Sequence, residues 1–135
     1  MRELELKAVV DNLDEVLNFV DDDLEANKCG MKAQMQIDLC LEEIFVNICN
    51  YAYGSEEGNA TIATEFDNEL RNYTIVFKDS GMPFNPLDKE DPDTTLSAEE
   101  RKIGGLGIFL VKKNMDEVAY EYKDKYNIFT IMKKI

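Results

Sequence analysis

The sequence predicts a single α/β domain, and three observations carry that prediction. Its 135 residues suffice for one hydrophobic core and are short for two. Period-two alternation of apolar residues opens the chain, recurs in its middle and closes it, as half-buried strands do. Between these stretches, apolar residues return every three to four positions, the repeat of a helix with one buried face.

Leu4, Leu6, Ala8 and Val10 alternate with charged or other residues and predict an opening strand. Asn12 and Glu15 have capping-box spacing, ahead of a helix carried by Leu13, Val16, Leu17, Val20 and Leu24. The run Asp21-Asp22-Asp23 lacks the spacing, central glycine and closing glutamate of an EF-hand loop and is expected to face solvent. Cys29-Gly30 reads as a helix stop. The next helix, Ile37 to Tyr53, carries two stripes. Ile37, Leu41, Ile44, Ile48 and Ala52 mark a core face, while Glu43, Asn47 and Asn50 stack on another side. That polar stripe is either the ordinary solvated side of a helix or a site. In a site, the carboxylate would act as a general base and an asparagine oxygen would meet a hard cation such as Mg2+.

A loop over residues 54–59 leads to a predicted antiparallel hairpin. Ala60, Ile62, Thr64 and Phe66 form one strand, Asp67-Asn68-Glu69 the turn, and Tyr73, Ile75 and Phe77 the return, ending at Asp79. Asp79-Ser80-Gly81-Met82-Pro83-Phe84-Asn85-Pro86 is rich in chain breakers, and Gly81 permits a backbone geometry or a close approach that a side chain would block. Asp79 is then either a plain turn aspartate or an acid at a strand end that reads a ligand amine. Residues 86–103 show no period and predict a long, mobile lid closed by Arg101 and Lys102. Gly104-Gly105-Leu106-Gly107 runs into a helix with Ile108, Val111 and Met115 on one face. Glycines before a helix start let phosphate approach free backbone N–H groups at the positive end of the helix dipole. The pattern matches neither the P-loop nor the dinucleotide-binding fingerprint. Two final strands, Val118 to Tyr122 and Ile128 to Met132, flank a turn over Asp124 to Asn127.

Composition excludes several function classes. With 15 basic and 28 acidic residues the formal charge is −13, which disfavours nucleic acid and anionic lipid and favours a neutral or basic protein partner. The absence of histidine excludes His-based acid/base catalysis and His-ligated metal. Cys29, Cys40 and Cys49 are odd in number and lack C-x-x-C spacing, so free thiols are expected. The N-terminus has no apolar signal core and no run approaches a membrane span, so a soluble cytoplasmic protein is expected.

Glu43-Ile-Phe-Val-Asn47 with Ala52-Tyr53, Asp79-Ser-Gly81-Met-Pro-Phe84-Asn-Pro86, and Gly104-Gly-Leu-Gly107 followed by Asp116-Glu-Val118 occur in that order. Together they resemble the ATP-binding domain shared by gyrase, the heat-shock chaperones, histidine kinases and mismatch-repair proteins. The resemblance is to its small free-standing branch, the anti-sigma-factor serine/threonine kinases, and runs from about Leu4 to Lys134. It implies a histidine kinase-like ATPase fold: a two-layer α/β (α+β) sandwich whose mixed, mainly antiparallel sheet carries helices on one face. One domain spans 1–135, with an ATP lid at about 86–103. The resemblance assigns Mg2+ to Asn47, the adenine amine to Asp79, close approach of the base to Gly81, and phosphate to Gly105, Leu106 and Gly107. Glu43 becomes the base that deprotonates a serine or threonine hydroxyl or orients a water. Two positions depart from the family: Tyr51 stands where many relatives carry histidine, and Pro83 replaces a frequent glycine.

The implied partners are an anti-sigma antagonist of STAS type and a sigma factor, with a homodimer expected and no direct contact with nucleic acid or membrane. No helix pair bearing a phospho-accepting histidine precedes the domain and no transducer domain follows, so a stand-alone switch is expected. The sequence supports three readings: an ATP- and Mg2+-dependent protein kinase of transcription regulation, a non-catalytic ATP-dependent binding module, and an acidic interaction domain that binds no nucleotide.

Overall fold

The computed structural model describes residues 1–54, 56–88 and 105–135. Five strands, β1 (Arg2–Lys7), β2 (Asn59–Asp67), β3 (Asn72–Asp79), β4 (Glu117–Lys123) and β5 (Tyr126–Lys134), form one sheet in the order β1-β2-β3-β5-β4. All four pairings are antiparallel. Helices α1 (Leu13–Ala26), α2 (Met31–Tyr51) and α3 (Gly105–Asn114) complete the α+β fold. No helix among the described residues is long and apolar enough to cross a membrane.

The sheet turns alternate residues toward the helices. On β3 the inward row is Tyr73, Ile75, Phe77 and Asp79, each buried; on β5 it is Asn127, Phe129 and Ile131. These two central strands pair with Asp79 opposite Asn127 and Phe77 opposite Phe129. From α2, Ile37, Leu41 and Ile44 enter the core as their spacing predicts, joined by Cys40 and Phe45. Each such side chain contributes roughly 1.5–3 kcal/mol by leaving water. Helix α1 adds Val16, Val20 and Leu24, and α3 adds Val111 with Met115 just beyond it.

Several local expectations are corrected. Asn12 stands at the N-cap of α1 but makes no capping bond; its Nδ2 instead donates to the Lys7 carbonyl at 2.9 Å, across a short 3-10 turn over Val10–Asn12. The tertiary tie to β1 takes the side chain that the capping box would use. The stop of α1 is made by Lys28, at φ 59, rather than by Gly30. The Cys29 N–H reaches back to the Leu24 carbonyl at 2.9 Å and the Lys28 N–H to Glu25 at 3.1 Å, the Schellman pair. Gly30 becomes the N-cap of α2, which therefore starts at Met31, before Ile37. The turn between β4 and β5 is only Asp124-Lys125, both at positive φ (55 and 72), so Asn127 belongs to a strand. Of the expected lid, Pro86–Asp88 form a 3-10 turn, and 89–103, with Arg101 and Lys102, lie outside the described residues, as does Gly104.

Candidate functional site

A cleft opens where the C-terminal half of α2 meets the ends of β3 and β5 and the first turns of α3. Ile44, Asn47, Ile48 and Tyr51 line it from α2, Phe77 and Asp79 from β3, Asn127 and Phe129 from β5, and Ile108 from α3. Met82 and Phe84, from the segment after β3, line the remaining side, each partly exposed. The lining is mostly apolar with a few convergent polar groups, the composition of small-molecule clefts.

Asp79 is there because strand period carries it there. It is the last residue of the inward row of β3, one step beyond Phe77, and only 6% of its surface is exposed. A carboxylate so placed needs donors. Its Oδ1 accepts the Gly81 N–H at 2.9 Å and the Asn127 Nδ2–H at 3.0 Å. Oδ2 takes no hydrogen bond among the described residues, so one acceptor oxygen of a cleft-lining carboxylate is available to a ligand donor.

Asn127, equally buried at 6% exposure, is the organising residue that the sequence reading missed. Its Nδ2 also donates to the Met82 carbonyl at 2.8 Å and lies 3.5 Å from the Gly81 carbonyl. Its Oδ1 accepts the Phe84 N–H at 3.1 Å and a short bond from the Tyr120 hydroxyl. One carboxamide thus ties β3, β4 and the 81–84 segment together. Placing Asn127 in a turn hid it; continuing the inward row of Ile131 and Phe129 one step further would have found it.

Gly81 lies in close approach to the protein's own backbone. A Cβ at Gly81 would stand 2.2 Å from the Ala52 carbonyl oxygen and 2.6 Å from its carbon, while the Met82 N–H donates to that same oxygen at 2.8 Å. Tyr53 braces the loop from the other flank. Its hydroxyl accepts the Ser80 N–H at 2.9 Å and donates to the Asn59 carbonyl, with its ring against Gly58.

At the α3 side, Glu43 and Gly107 are in contact. A Cβ on Gly107 would fall 2.0 Å from Glu43 Oε2, so only the missing side chain leaves room for this carboxylate. Helix α3 begins at Gly105, so Gly105, Leu106 and Gly107 form its first turn rather than a preceding loop. N–H groups in a first turn lack intrahelical partners, as anion recognition requires. Glu43 and Asn47 are both half-buried, one helical turn apart. Asn50 is exposed and does not line the cleft, whereas Tyr51, 47% exposed, does. The cysteines are free, and burial pushes the Cys40 and Cys49 thiols up to about 11, which keeps both protonated and poor as nucleophiles at neutral pH.

Residues 6–133 match the family described as histidine kinase-like ATPase domain. Among curated relatives, the serine/threonine-protein kinase BtrW of Bordetella bronchiseptica is 21% identical over 128 residues, covering 95% of this chain and 89% of that protein.

Proposed function

Because the chain belongs to the histidine kinase-like ATPase domain family, we propose that it is an ATP- and Mg2+-dependent serine/threonine protein kinase. In this reading it acts in the cytoplasm as an anti-sigma factor, phosphorylating an anti-sigma antagonist of STAS type and sequestering a sigma factor, with a homodimer as its working form. Kinase-like chemistry is supported by the relative named as a serine/threonine-protein kinase. The observation that carries the reading is the contact of the Glu43 carboxylate with Gly107, which sets a candidate base against the first turn of α3.

The residues present fit a purine nucleotide. Asp79 offers a free acceptor oxygen in a cleft otherwise lined largely by Ile44, Ile48, Phe77 and Phe129, suited to an aromatic base with an exocyclic amine. Asp79 accepts the hydrogen bond of that amine, and Gly81, seated against Ala52, keeps its loop clear of the base. The backbone N–H groups of Gly105, Leu106 and Gly107 hold phosphate oxygens. Asn47 supplies an oxygen ligand of the kind Mg2+ prefers. ATP with Mg2+ supplies the phosphoryl group and neutralises charge during transfer. Glu43 takes the proton of the partner's hydroxyl, a base contribution of typically 10²–10⁴-fold.

The test uses γ-labelled ATP, Mg2+ and candidate antagonist domains, with wild-type protein and Glu43→Ala. Label passes to a partner serine or threonine with wild type alone, while ATP affinity is kept in the variant. Binding of ATP without transfer to any candidate would replace the kinase by a non-catalytic nucleotide-dependent binding module.

A further inference from the structure

The Asn127 carboxamide is saturated. Its two N–H donors face Asp79 Oδ1 and the Met82 carbonyl, and its oxygen already accepts from the Phe84 N–H and the Tyr120 hydroxyl. An amide turned the other way would set its oxygen against three acceptors, Asp79 Oδ1 and the carbonyls of Gly81 and Met82, so the network admits one orientation. Nothing in this group remains to donate to a ligand. The Gly81 N–H, the other donor beside Asp79, is likewise spent on Oδ1. What this end of the cleft presents is therefore a carboxylate fixed by two donors on one oxygen, with the second oxygen free.

We propose that Asn127, itself held by Tyr120, is a positioning residue that fixes Asp79 as a pure acceptor and thereby makes the cleft select 6-amino purine nucleotides over 6-oxo ones. The inference rests on the nucleotide reading above and adds the origin of base selectivity. A 6-amino group donates to Asp79 Oδ2. A 6-oxo group in the same place sets oxygen against oxygen, and both donors beside Asp79, Asn127 Nδ2 and the Gly81 N–H, are committed and do not turn to meet it. Sites that leave a polar group unpaired with the wrong substrate discriminate strongly. Without Asn127, the Asp79 carboxylate loses one of its two donors and its fixed orientation, and the Met82 and Phe84 backbone groups lose their tie. The preference then relaxes.

The experiment measures equilibrium binding of ATP and of GTP, each with Mg2+, to the full chain. Wild type, Asn127→Leu, Asn127→Thr and Tyr120→Phe are compared, with circular dichroism reporting the fold. Wild type prefers ATP. Asn127→Leu lowers the ATP-to-GTP preference at least about tenfold, because a hydrogen bond to a charged group is worth roughly that factor or more. Asn127→Thr, whose hydroxyl retains one donor, recovers part of it, and Tyr120→Phe costs about threefold. A merely structural role would weaken both nucleotides together and leave their ratio alone. A wild-type ratio in Asn127→Leu, or Asn127→Thr no better than Asn127→Leu, overturns the positioning role. If Asn127→Leu does not fold, an unchanged ratio in Tyr120→Phe overturns it equally. Failure of the underlying reading looks different: wild type binds neither nucleotide, or Asp79→Asn leaves ATP affinity intact.

Discussion

Two glycines in this chain do opposite things, and atomic distances separate them. At Gly107 the atom a new Cβ would strike first is Glu43 Oε2, at 2.0 Å, the far end of a flexible side chain. At Gly81 it is the Ala52 carbonyl, at 2.2 Å, which is backbone. A side chain swings away cheaply, whereas a helix end does not. Gly107→Ala is therefore expected to fold with stability within about 1 kcal/mol of wild type, helped by alanine's better helix propensity. It displaces the carboxylate, so label transfer falls at least tenfold, on the order of the loss of a general base. Gly81→Ala instead loses roughly 1–3 kcal/mol of stability from overpacking. Thermal melts beside the transfer assay check both. Equal melting temperatures for the two variants would contradict the distinction, and full transfer in Gly107→Ala would detach Glu43 from the chemistry.

Between α1 and α2 lies an acid pair that the sequence did not bring together. Asp21 on α1 and Asp38 on α2 each have a buried Oδ1 without a partner among the described residues, and Glu25 and Cys29 stand near. Burial first, then the adjoining Asp21 and Glu25 carboxylates, push the Asp38 carboxyl from its ordinary 3.8 up to about 8, so that its protonated form is favoured at neutral pH. The sign follows from linkage. A raised folded-state value gives stability that is complete below about 3.8, erodes as pH rises through the window and is lost above about 8. Asp38→Asn carries a permanent donor toward Asp21. Its melting temperature should exceed wild type by a margin that grows from pH 5 to pH 8.5, and a constant margin would show that Asp38 does not titrate in this window. The pair was illegible because Asp21 sits in a run of three aspartates that composition reads as solvated, and only the helix crossing turns it inward. Element ends were hidden for a similar reason: Lys28, Asp124 and Lys125 adopt the left-handed conformation without a glycine to announce it. The helix and strand order, by contrast, was legible, because buried faces impose periods of 3.6 and 2 on Ile37, Leu41 and Ile44 and on Tyr73, Ile75, Phe77 and Asp79. That same period delivered Asp79 to the site and, once the two-residue turn is placed, delivers Asn127.

At the scale of the whole molecule the dominant quantity is a formal charge of −13, and the proposed ligand is an anion. Repulsion between like net charges slows encounter, and salt screens it over a Debye length of about 10 Å at 0.1 M. The backbone donors proposed to hold phosphate, in the first turn of α3, act only at contact. Binding of a fluorescent ATP analogue with Mg2+ is then governed by two ranges: a repulsive far field that sets the association rate, and local hydrogen bonds that set dissociation. The association rate should rise about two- to threefold between 20 and 200 mM NaCl, the reverse of the usual fall for electrostatically steered pairs. The dissociation rate should change little. A falling association rate would assign the encounter to local positive charge, for which the sequence offers Arg101 and Lys102 beside the glycines that open α3. The same net charge shapes partner choice. A domain that repels anions at long range and still binds ATP at short range favours neutral or basic protein surfaces, so salt should weaken capture of a basic partner while it speeds capture of nucleotide.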